Sequence, residues 1–334
     1  MDKADPLQLF FSPHLKTPSS TKRIMWSVVV CLLPAGAWGI YIFGWPALAV
    51  IAAGVITAII AELAINLLLK QKITVGDGSA FLTGLLVGYT MPPPVPLLIP
   101  VIASLFAIVV VKHTFGGLGR NWMNPALGGK VFVMFCFQSA MHTWNFPGGF
   151  ASAVFPGWTD GLTSATPLIL GPGRYLAGGS YWNLFIGIIP GSIGEVSALL
   201  LILGAACLLI KRVITWDIPV AYLGSFSLLV WLFGAIRESG TPFAGDVLFH
   251  LLSGSLILGA FYMAADPVTT PLTTKGRLLF GTGCGFFTFL IRMYGGFPEG
   301  VALAVIIMNM LVPIINKFTG PAKWETAGGE RNAG

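Results

Sequence analysis

The chain consists largely of long apolar runs separated by short polar or glycine- and proline-rich connections. An α-helix needs about 20 mainly apolar residues to cross the hydrocarbon core of a bilayer, and fewer where it is broken and shielded by protein. By this criterion the sequence predicts an all-α polytopic membrane protein with about ten transmembrane helices. Their ranges are 24–43, 46–69, 79–91, 96–111, 126–142, 193–210, 218–236, 245–264, 278–293 and 298–316.

The distribution of lysine and arginine predicts the orientation of these helices. The third segment, Ser79 to Met91, is short, but counting it as a crossing places sixteen of the 19 Lys and Arg residues on one face. The other face receives Arg174, Arg237 and Arg292. Because positive residues favour the cytoplasmic side, we expect both termini in the cytoplasm and the long connection 143–192 on the outer face.

A faint internal repeat divides the chain into two halves. Three motifs return in the same order: Phe81–Gly84, Pro92–Pro94 and Phe115–Gly117 as Leu251–Gly254, Asp266–Pro267 and Tyr294–Gly296. An odd number of crossings separates the copies, so the halves would be inverted in the membrane. Two inverted five-helix repeats with short broken helices are typical of transporters. The alternative is chance similarity between glycine-rich apolar segments.

The predicted organisation therefore has five parts. They are a cytoplasmic N-terminal segment (1–23), a first helical repeat (24–142), an outer-face loop (143–192), a second helical repeat (193–316) and a cytoplasmic C-terminal tail (317–334).

Composition excludes several classes of protein. Of the 334 residues 55% are hydrophobic and 10% charged, whereas a soluble domain carries about 25% charged residues. A soluble enzyme, a disordered regulator and a secreted disulfide scaffold are excluded. The net charge of +6 comes without a dense basic cluster, so we expect no nucleic-acid partner. The four cysteines lie singly in apolar runs, and we expect no metal site within this chain.

The predicted outer loop contains the segment Asp160-Gly161-Leu162-Thr163-Ser164-Ala165-Thr166. It resembles the flavinylation motif Asp-x-x-Ser/Thr-Gly-Ala-Thr, in which a transferase joins the phosphate of FMN to the last threonine hydroxyl. A turn of small residues led by aspartate exposes one hydroxyl and lets a bulky nucleotide approach. Thr166 is the expected attachment point. Ser164 replaces the usual glycine, and serine is nearly as small.

Three further motifs accompany it: Ser12-Pro13-His14, Gly76–Gly84 and Ala265–Pro271. Together they resemble the membrane flavoprotein family shared by the D subunit of the Rnf electron-transport complex and the B subunit of the sodium-pumping NADH:quinone reductase. The resemblance extends from Ser12 to about Asn316. Only 23 residues precede the first predicted span, and this short extension favours the Rnf branch.

The resemblance implies a bacterial inner-membrane component of an ion-translocating oxidoreductase. Such a complex passes electrons between NADH and ferredoxin and couples them to Na⁺ or H⁺ transport. It implies covalent FMN on Thr166, a noncovalent riboflavin, and an FMN transferase during maturation. It also implies the Rnf-type A, B, C, E and G subunits as partners, which include iron–sulfur subunits and a second FMN-carrying subunit.

Two groups of polar residues near the membrane are further candidates. Asp77, Ser79, Thr83, Asp266, Thr269 and Thr270 lie at corresponding breaks of the two repeats and would form a second flavin or ion site. The alternative is two unrelated turns, each capped by its own aspartate. Glu62 lies deep in the second span and is a candidate ion ligand. A hydrogen-bonded structural acid is the alternative.

Two other functions fit the same pattern. One is a component like the B subunit of the quinone reductase. The other is a transporter or channel for small solutes without a redox role, because inverted repeats and broken helices suit permeation.

Overall fold

The computed structural model describes residues 21–70, 72–144, 165–236, 240–295 and 299–320, and all regular elements in these ranges are helical. The all-α polytopic membrane fold is confirmed. The first half contains α1 (Thr21–Phe43), α2 (Trp45–Leu68), a short turn of 3₁₀ helix (Val75–Asp77), α3 (Ser79–Tyr89), α4 (Leu98–Leu105), α5 (Pro125–Cys136) and α6 (Gln138–Met141). The connection contains α7 (Pro167–Leu176) and α8 (Tyr181–Ile186). The second half contains α9 (Ala198–Ile210), α10 (Asp217–Phe233), α11 (Val247–Leu252), α12 (Leu256–Leu258), α13 (Thr274–Tyr294) and α14 (Val301–Thr319).

Each predicted crossing corresponds to one helix or to a pair of short helices. Within the described residues, three helices are long and apolar enough to cross a membrane by themselves: Thr21–Phe43, Trp45–Leu68 and Val301–Thr319. The other apolar helices in these ranges are shorter or less hydrophobic. The count of ten crossings therefore stays a prediction.

Local sequence explains where several helices begin and end. Gly44 has a φ of 76° and separates α1 from α2. The prolines 92–94 follow the end of α3, since proline cannot donate the next helical hydrogen bond. Asn124 caps α5 by accepting from the N–H groups of Ala126 (3.0 Å) and Leu127 (3.4 Å). Two helices continue as π-helix, α4 through Phe106–Lys112 and α12 through Gly259–Met263.

The same tyrosine contact occurs in each half. Tyr89, the last residue of α3, donates to the carbonyl of Leu32 in α1 at 3.0 Å. Tyr262, in the π-helical extension of α12, donates to the carbonyl of Leu201 in α9 at 2.9 Å. In both halves the third, broken element is thus tied to the first helix. Two halves with related packing would produce this repetition, so it supports the internal repeat.

A buried cation also has an equivalent place in each half. The Lys112 ammonium, at the end of the helix that continues α4, donates to Ser79 Oγ at 2.6 Å. Arg292, near the end of α13, donates to the carbonyl oxygens of His250 (2.7 Å) and Ser253 (3.4 Å). Each cation reaches the broken element of its own half.

Candidate functional site

Thr166 immediately precedes the first turn of α7. Its backbone is extended (φ −64°, ψ 155°), its hydroxyl does not cap the helix, and its side chain is half-buried. Ala165 is also half-buried, whereas Asp160, Gly161, Thr163 and Ser164 of the motif lie outside the described residues. The expected attachment point is therefore a threonine whose side chain is not used to begin its helix.

Two cavities meet at Thr166 and Glu299. The larger has a volume of about 540 Å³, and its walls include Lys130, Trp144 and His142. The smaller, of about 320 Å³, is bounded by Glu195 and Gly254 as well as by Thr166 and Glu299. A group attached to the Thr166 hydroxyl could therefore extend into either cavity.

An ion pair lies in the wall of the larger cavity, and its carboxylate, Glu299, also lines the smaller one. The Lys130 ammonium is 2.5 Å from Glu299 Oε2, and the lysine side chain is 5% exposed. Ser192 Oγ lies 3.4 Å from Glu299 Oε1, and Ser255 Oγ lies 3.5 Å from Oε2. Sequence reasoning missed Lys130, Glu299 and Glu195 as site residues. Ionisable residues within or next to apolar spans are the signal that could have identified them.

A third cavity lies where the two predicted breaks meet. It has a volume of about 680 Å³, and its walls include Ser79 and Thr83 from the first half and Asp266 from the second. The structure thus brings these three candidate residues to one space. Asp77, Thr269 and Thr270 do not line it.

Both aspartates of the predicted second site also stabilise their own turns. Asp77 Oδ1 accepts from the N–H (2.7 Å) and the Oγ (2.5 Å) of Ser79. Asp266 accepts from the N–H of Val268 at 3.3 Å and from the Thr269 hydroxyl at 3.5 Å. The capping role that was the alternative is therefore present for both. It coexists with a shared cavity, which only Asp266 of the two lines.

Glu62 is not an isolated acid. Its Oε2 lies 2.5 Å from the Lys112 ammonium, and the two side chains are 0% and 2% exposed. Its Oε1 accepts from the Thr74 hydroxyl at 2.6 Å. The described contacts are those of a hydrogen-bonded structural acid, and its role as an ion ligand stays a prediction.

Three buried cations correct the charge distribution used for orientation. Lys112 and Lys130 were counted as cytoplasmic charges and Arg292 as an outer charge, but all three are buried. They are functional or structural cations inside the protein and do not report its orientation. Removing them leaves fourteen positive residues on one face and two on the other, so the predicted orientation is unchanged.

Two cysteines that are distant in sequence come together. Cys31 of α1 and Cys207 of α9 lie within hydrogen-bonding reach of each other, and both are free thiols. These two cysteines lie singly in the sequence, and the packing of α1 against α9 brings them together. Among the described residues no group of three or more His, Cys, Asp or Glu is arranged to hold a metal ion.

Helix α5 borders both regions of the candidate site. Asn124 and Pro125, at its start, line the cavity near Asp266. Lys130 and Met134, one to two turns further, line the large cavity at Thr166. A helix rises about 1.5 Å per residue, so the two spaces are separated along α5 by less than about 10 Å.

The segment after α7 is attached to the second half by a strong hydrogen bond. Tyr181, the first residue of α8, donates to Asp246 Oδ2 at 2.5 Å. Because this bond favours the protonated phenol, it raises the pKa of Tyr181 to about 12. Asp246 also caps α11 by accepting from the N–H of Phe249 at 2.9 Å. Through this bond, the connection between the two halves, which includes Thr166, is attached to the start of α11.

Comparison with known proteins gives a consistent result. The profile of the NQR2, RnfD, RnfE family matches residues 9–325. The chain is 42% identical over 324 residues to the D subunit of the proton-translocating ferredoxin:NAD⁺ oxidoreductase complex of Clostridium ljungdahlii, covering 94% of this chain and 95% of that protein. It is 40% identical over 311 residues to the D subunit of the Na⁺-translocating ferredoxin:NAD⁺ oxidoreductase complex of Acetobacterium woodii, covering 92% of each. It is also 40% identical over 328 residues to the D subunit of an ion-translocating oxidoreductase complex from Stutzerimonas stutzeri, covering 91% of this chain and 92% of the relative.

Proposed function

Because this chain belongs to the NQR2, RnfD, RnfE family, we propose that it is the membrane-embedded D subunit of an Rnf-type ion-translocating oxidoreductase. In this role it takes part in electron transfer between NADH and ferredoxin, coupled to movement of Na⁺ or H⁺ across the bacterial inner membrane. The names of relatives at 40–42% identity over nearly the whole chain carry this assignment. They also favour the Rnf branch over a component of the quinone reductase.

We further propose that Thr166 carries FMN through a phosphoester bond. The sequence motif points to this hydroxyl, and the geometry suits it: the side chain does not cap α7 and opens into two cavities. Lys130 lines the larger cavity, where its ammonium would offset the negative charge of a phosphodiester. Trp144 and Met134 in the same walls provide apolar surface for a flavin ring.

When bound, the flavin would supply the redox chemistry, and the chain would supply position and electrostatics. The half-buried Thr166 fixes the point of attachment, while the ion pair of Lys130 and Glu299 determines the charge beside it. A flavin on the predicted outer face cannot meet a cytoplasmic donor directly. Further carriers in this chain or in the partner A, B, C, E and G subunits must lie between them.

The test of this proposal is the variant Thr166→Ala. We expect complete loss of covalent flavin, measured as fluorescence of the denatured protein after electrophoresis and as the mass of the intact chain. Thr90→Ala is the matched control, because Thr90 lines the same cavity and its hydroxyl donates to the carbonyl of Val87. Thr163→Ala should have a smaller effect than Thr166→Ala, since that position shapes the turn. Retention of one FMN per chain in Thr166→Ala would refute the assignment.

The cavity beside Asp266 is the proposed place for a noncovalent flavin, riboflavin, or for the transported ion. Its walls combine apolar side chains with Ser79, Lys112 and Asn124, a mixture that suits a ring with several donors and acceptors. Asp266→Asn should lower the noncovalent flavin content or the ion-coupled activity of the complex. Asp77→Asn is the comparison, because Asp77 caps the neighbouring turn without lining the cavity. If both variants keep the full noncovalent flavin content and the full ion-coupled activity, the proposed site is refuted and the two aspartates only cap their turns.

A transporter without a redox role is the second candidate, favoured by the cavities at Asp266 and at Thr166, which lie at different levels of α5. The two functions lead to different expectations for the purified protein. A redox protein purifies with bound flavin, whereas a simple transporter is colourless and moves its solute in vesicles without an electron donor. Dependence of the turnover of the intact complex on Na⁺, measured at constant pH, would identify the coupling ion.

A further inference from the structure

Glu195 is a buried acid close to the ion pair of Lys130 and Glu299, but it is not a member of that ion pair. Glu195 lies in the connection between α8 and α9, and its side chain is buried, with 6% of the residue exposed. Its Oε1 accepts from the N–H of Ser192 at 3.2 Å. Its Oε2 is fully buried and has no hydrogen-bond donor among the described residues. A buried carboxylate oxygen without a donor is costly, so a proton or a cation is required there.

A second carboxyl group, that of Glu299, lies next to the Glu195 carboxyl group. Glu195 and Glu299 lie within hydrogen-bonding reach of each other. Two carboxylates at such a distance repel each other when both are ionised, and a single proton between them removes the repulsion and supplies the missing donor.

The surrounding cations do not replace that proton. Lys130 of α5 directs its ammonium at Glu299 Oε2, and it attracts Glu195 only from a greater distance, without a described hydrogen bond to it. Arg292 of α13 donates to the carbonyls of His250 and Ser253, and it lies over the ring of Phe226 with 5.0 Å to the centroid. It attracts both carboxyls from a distance but forms no ion pair with them among the described contacts.

The remaining titratable groups are histidines. His142 lines the larger cavity together with Lys130 and Glu299, and its Nδ1 lies 2.8 Å from the carbonyl oxygen of Gln138. The backbone carbonyl of His250 accepts from Arg292, and its ring packs edge-on against the ring of Phe249, with 5.2 Å between the centroids.

The available oxygen ligands also favour a proton over Na⁺. A hard cation prefers about six oxygen ligands, whereas the described side chains add only the Ser192 and Ser255 hydroxyls to the pair's own oxygens. The Lys130 ammonium already occupies one side of Glu299 and would repel a metal cation. A proton needs only two oxygens and is not excluded by its neighbours.

We propose that Glu195 and Glu299 share one exchangeable proton and form a proton-binding site beside Thr166. Both residues line the smaller cavity at Thr166, and Glu299 also lines the larger one. The proton therefore exchanges through the space at Thr166 and not through the cavity beside Asp266. This site exists whether or not Thr166 carries a flavin.

The experiment is infrared difference spectroscopy of the purified full chain in lipid nanodiscs, in H₂O and in D₂O. At neutral pH we expect the carbonyl band of a protonated carboxyl group, shifted by deuteration and lost as the pH rises. Glu195→Gln and Glu299→Gln should each remove the intensity of one carboxyl group. The double variant should remove no more than either single variant, because both residues share the same proton.

Glu62→Gln combined with Lys112→Met is the matched control. It makes the same change at another buried glutamate, removes the ammonium that would otherwise be left unpaired, and should leave the band intact. Absence of a deuterium-sensitive carboxyl band in the unsubstituted protein overturns the proposal, even if a variant fails to fold. Twice the loss in the double variant overturns sharing. Loss of the band in NaCl but not in choline chloride would show that the site binds Na⁺, and would refute the proposal that it binds a proton.

Discussion

At the scale of single residues, buried charged side chains of this protein form ion pairs. Glu62 pairs with Lys112, and Lys130 pairs with Glu299, with both ammonium groups nearly inaccessible. Removing one partner of such a pair leaves an uncompensated buried charge, whereas replacing both avoids it. The residue scale is therefore where substitutions should show strong coupling.

We predict that Glu62→Gln and Lys112→Met each destabilise the protein by about 3–5 kcal/mol, the range for breaking a buried ion pair. The double variant should be more stable than either single variant, because neither charge is then left unpaired. Thermal unfolding in nanodiscs, arranged as a double-mutant cycle, measures the coupling. Additive losses would mean that the Thr74 and Ser79 hydroxyls satisfy the two charges independently.

At the scale of helices, glycines allow α1 and α9 to approach their neighbours. A Cβ added at Gly204 of α9 would overlap the hydroxyl of Tyr262 and the carbonyl oxygen of Cys31 in the backbone of α1. At Gly36 of α1, the atoms nearest to an added Cβ are the hydroxyl and ring edge of the buried Tyr89 side chain. Close helix approach through small residues is the usual way in which membrane helices associate.

We predict that Gly204→Ala lowers stability by about 1–3 kcal/mol, the cost of overpacking, and more than Gly36→Ala does. The backbone of α1 cannot move aside as a tyrosine side chain can. Gly224→Ala in α10 is the control, because nothing lies within 4 Å of the added carbon. It should be neutral or slightly stabilising. Equal losses at Gly204 and Gly36 would contradict this account of the α1–α9 contact.

At the scale of the whole molecule, the two halves have the same kinds of internal contact. Tyr89 and Tyr262 each tie a broken helix to the first helix of its half, and Lys112 and Arg292 each reach that broken helix from a later helix. The cavities at Thr166 and at Asp266 lie towards opposite ends of α5. This arrangement suits a protein that carries a cofactor near one face and receives electrons or ions from the other.

The predicted orientation can be tested by cysteine labelling in a variant that lacks the four native cysteines. Lys72→Cys and Lys211→Cys should be labelled from the cytoplasmic side, and Gly178→Cys from the outer side. All three positions are exposed, and an added carbon at Gly178 meets nothing within 4 Å. Labelling of Lys72 and Gly178 variants from the same side would show that a crossing has been miscounted.

The sequence by itself was enough for the elements, the family and the most specific candidate residue. Apolar runs determine which segments become helices in a bilayer, because every backbone group there must be bonded internally. Prolines and glycines then determine where those helices end, as after α3 and between α1 and α2. Thr166 could be predicted as the attachment point because its motif is local, and a local pattern can be recognised without knowing the fold.

Only the tertiary structure decided which distant side chains meet. Glu62 and Lys112 are 50 positions apart, and Lys130 and Glu299 are 169 apart. Cys31 and Cys207 come from different halves. Periodicity describes each helix face as polar or apolar, but a nearly uniform apolar helix has no strong polar face from which its neighbour could be inferred. The partners of buried charges, and the carboxyl pair of Glu195 and Glu299, therefore follow from helix packing, which depends on shape complementarity across the whole molecule.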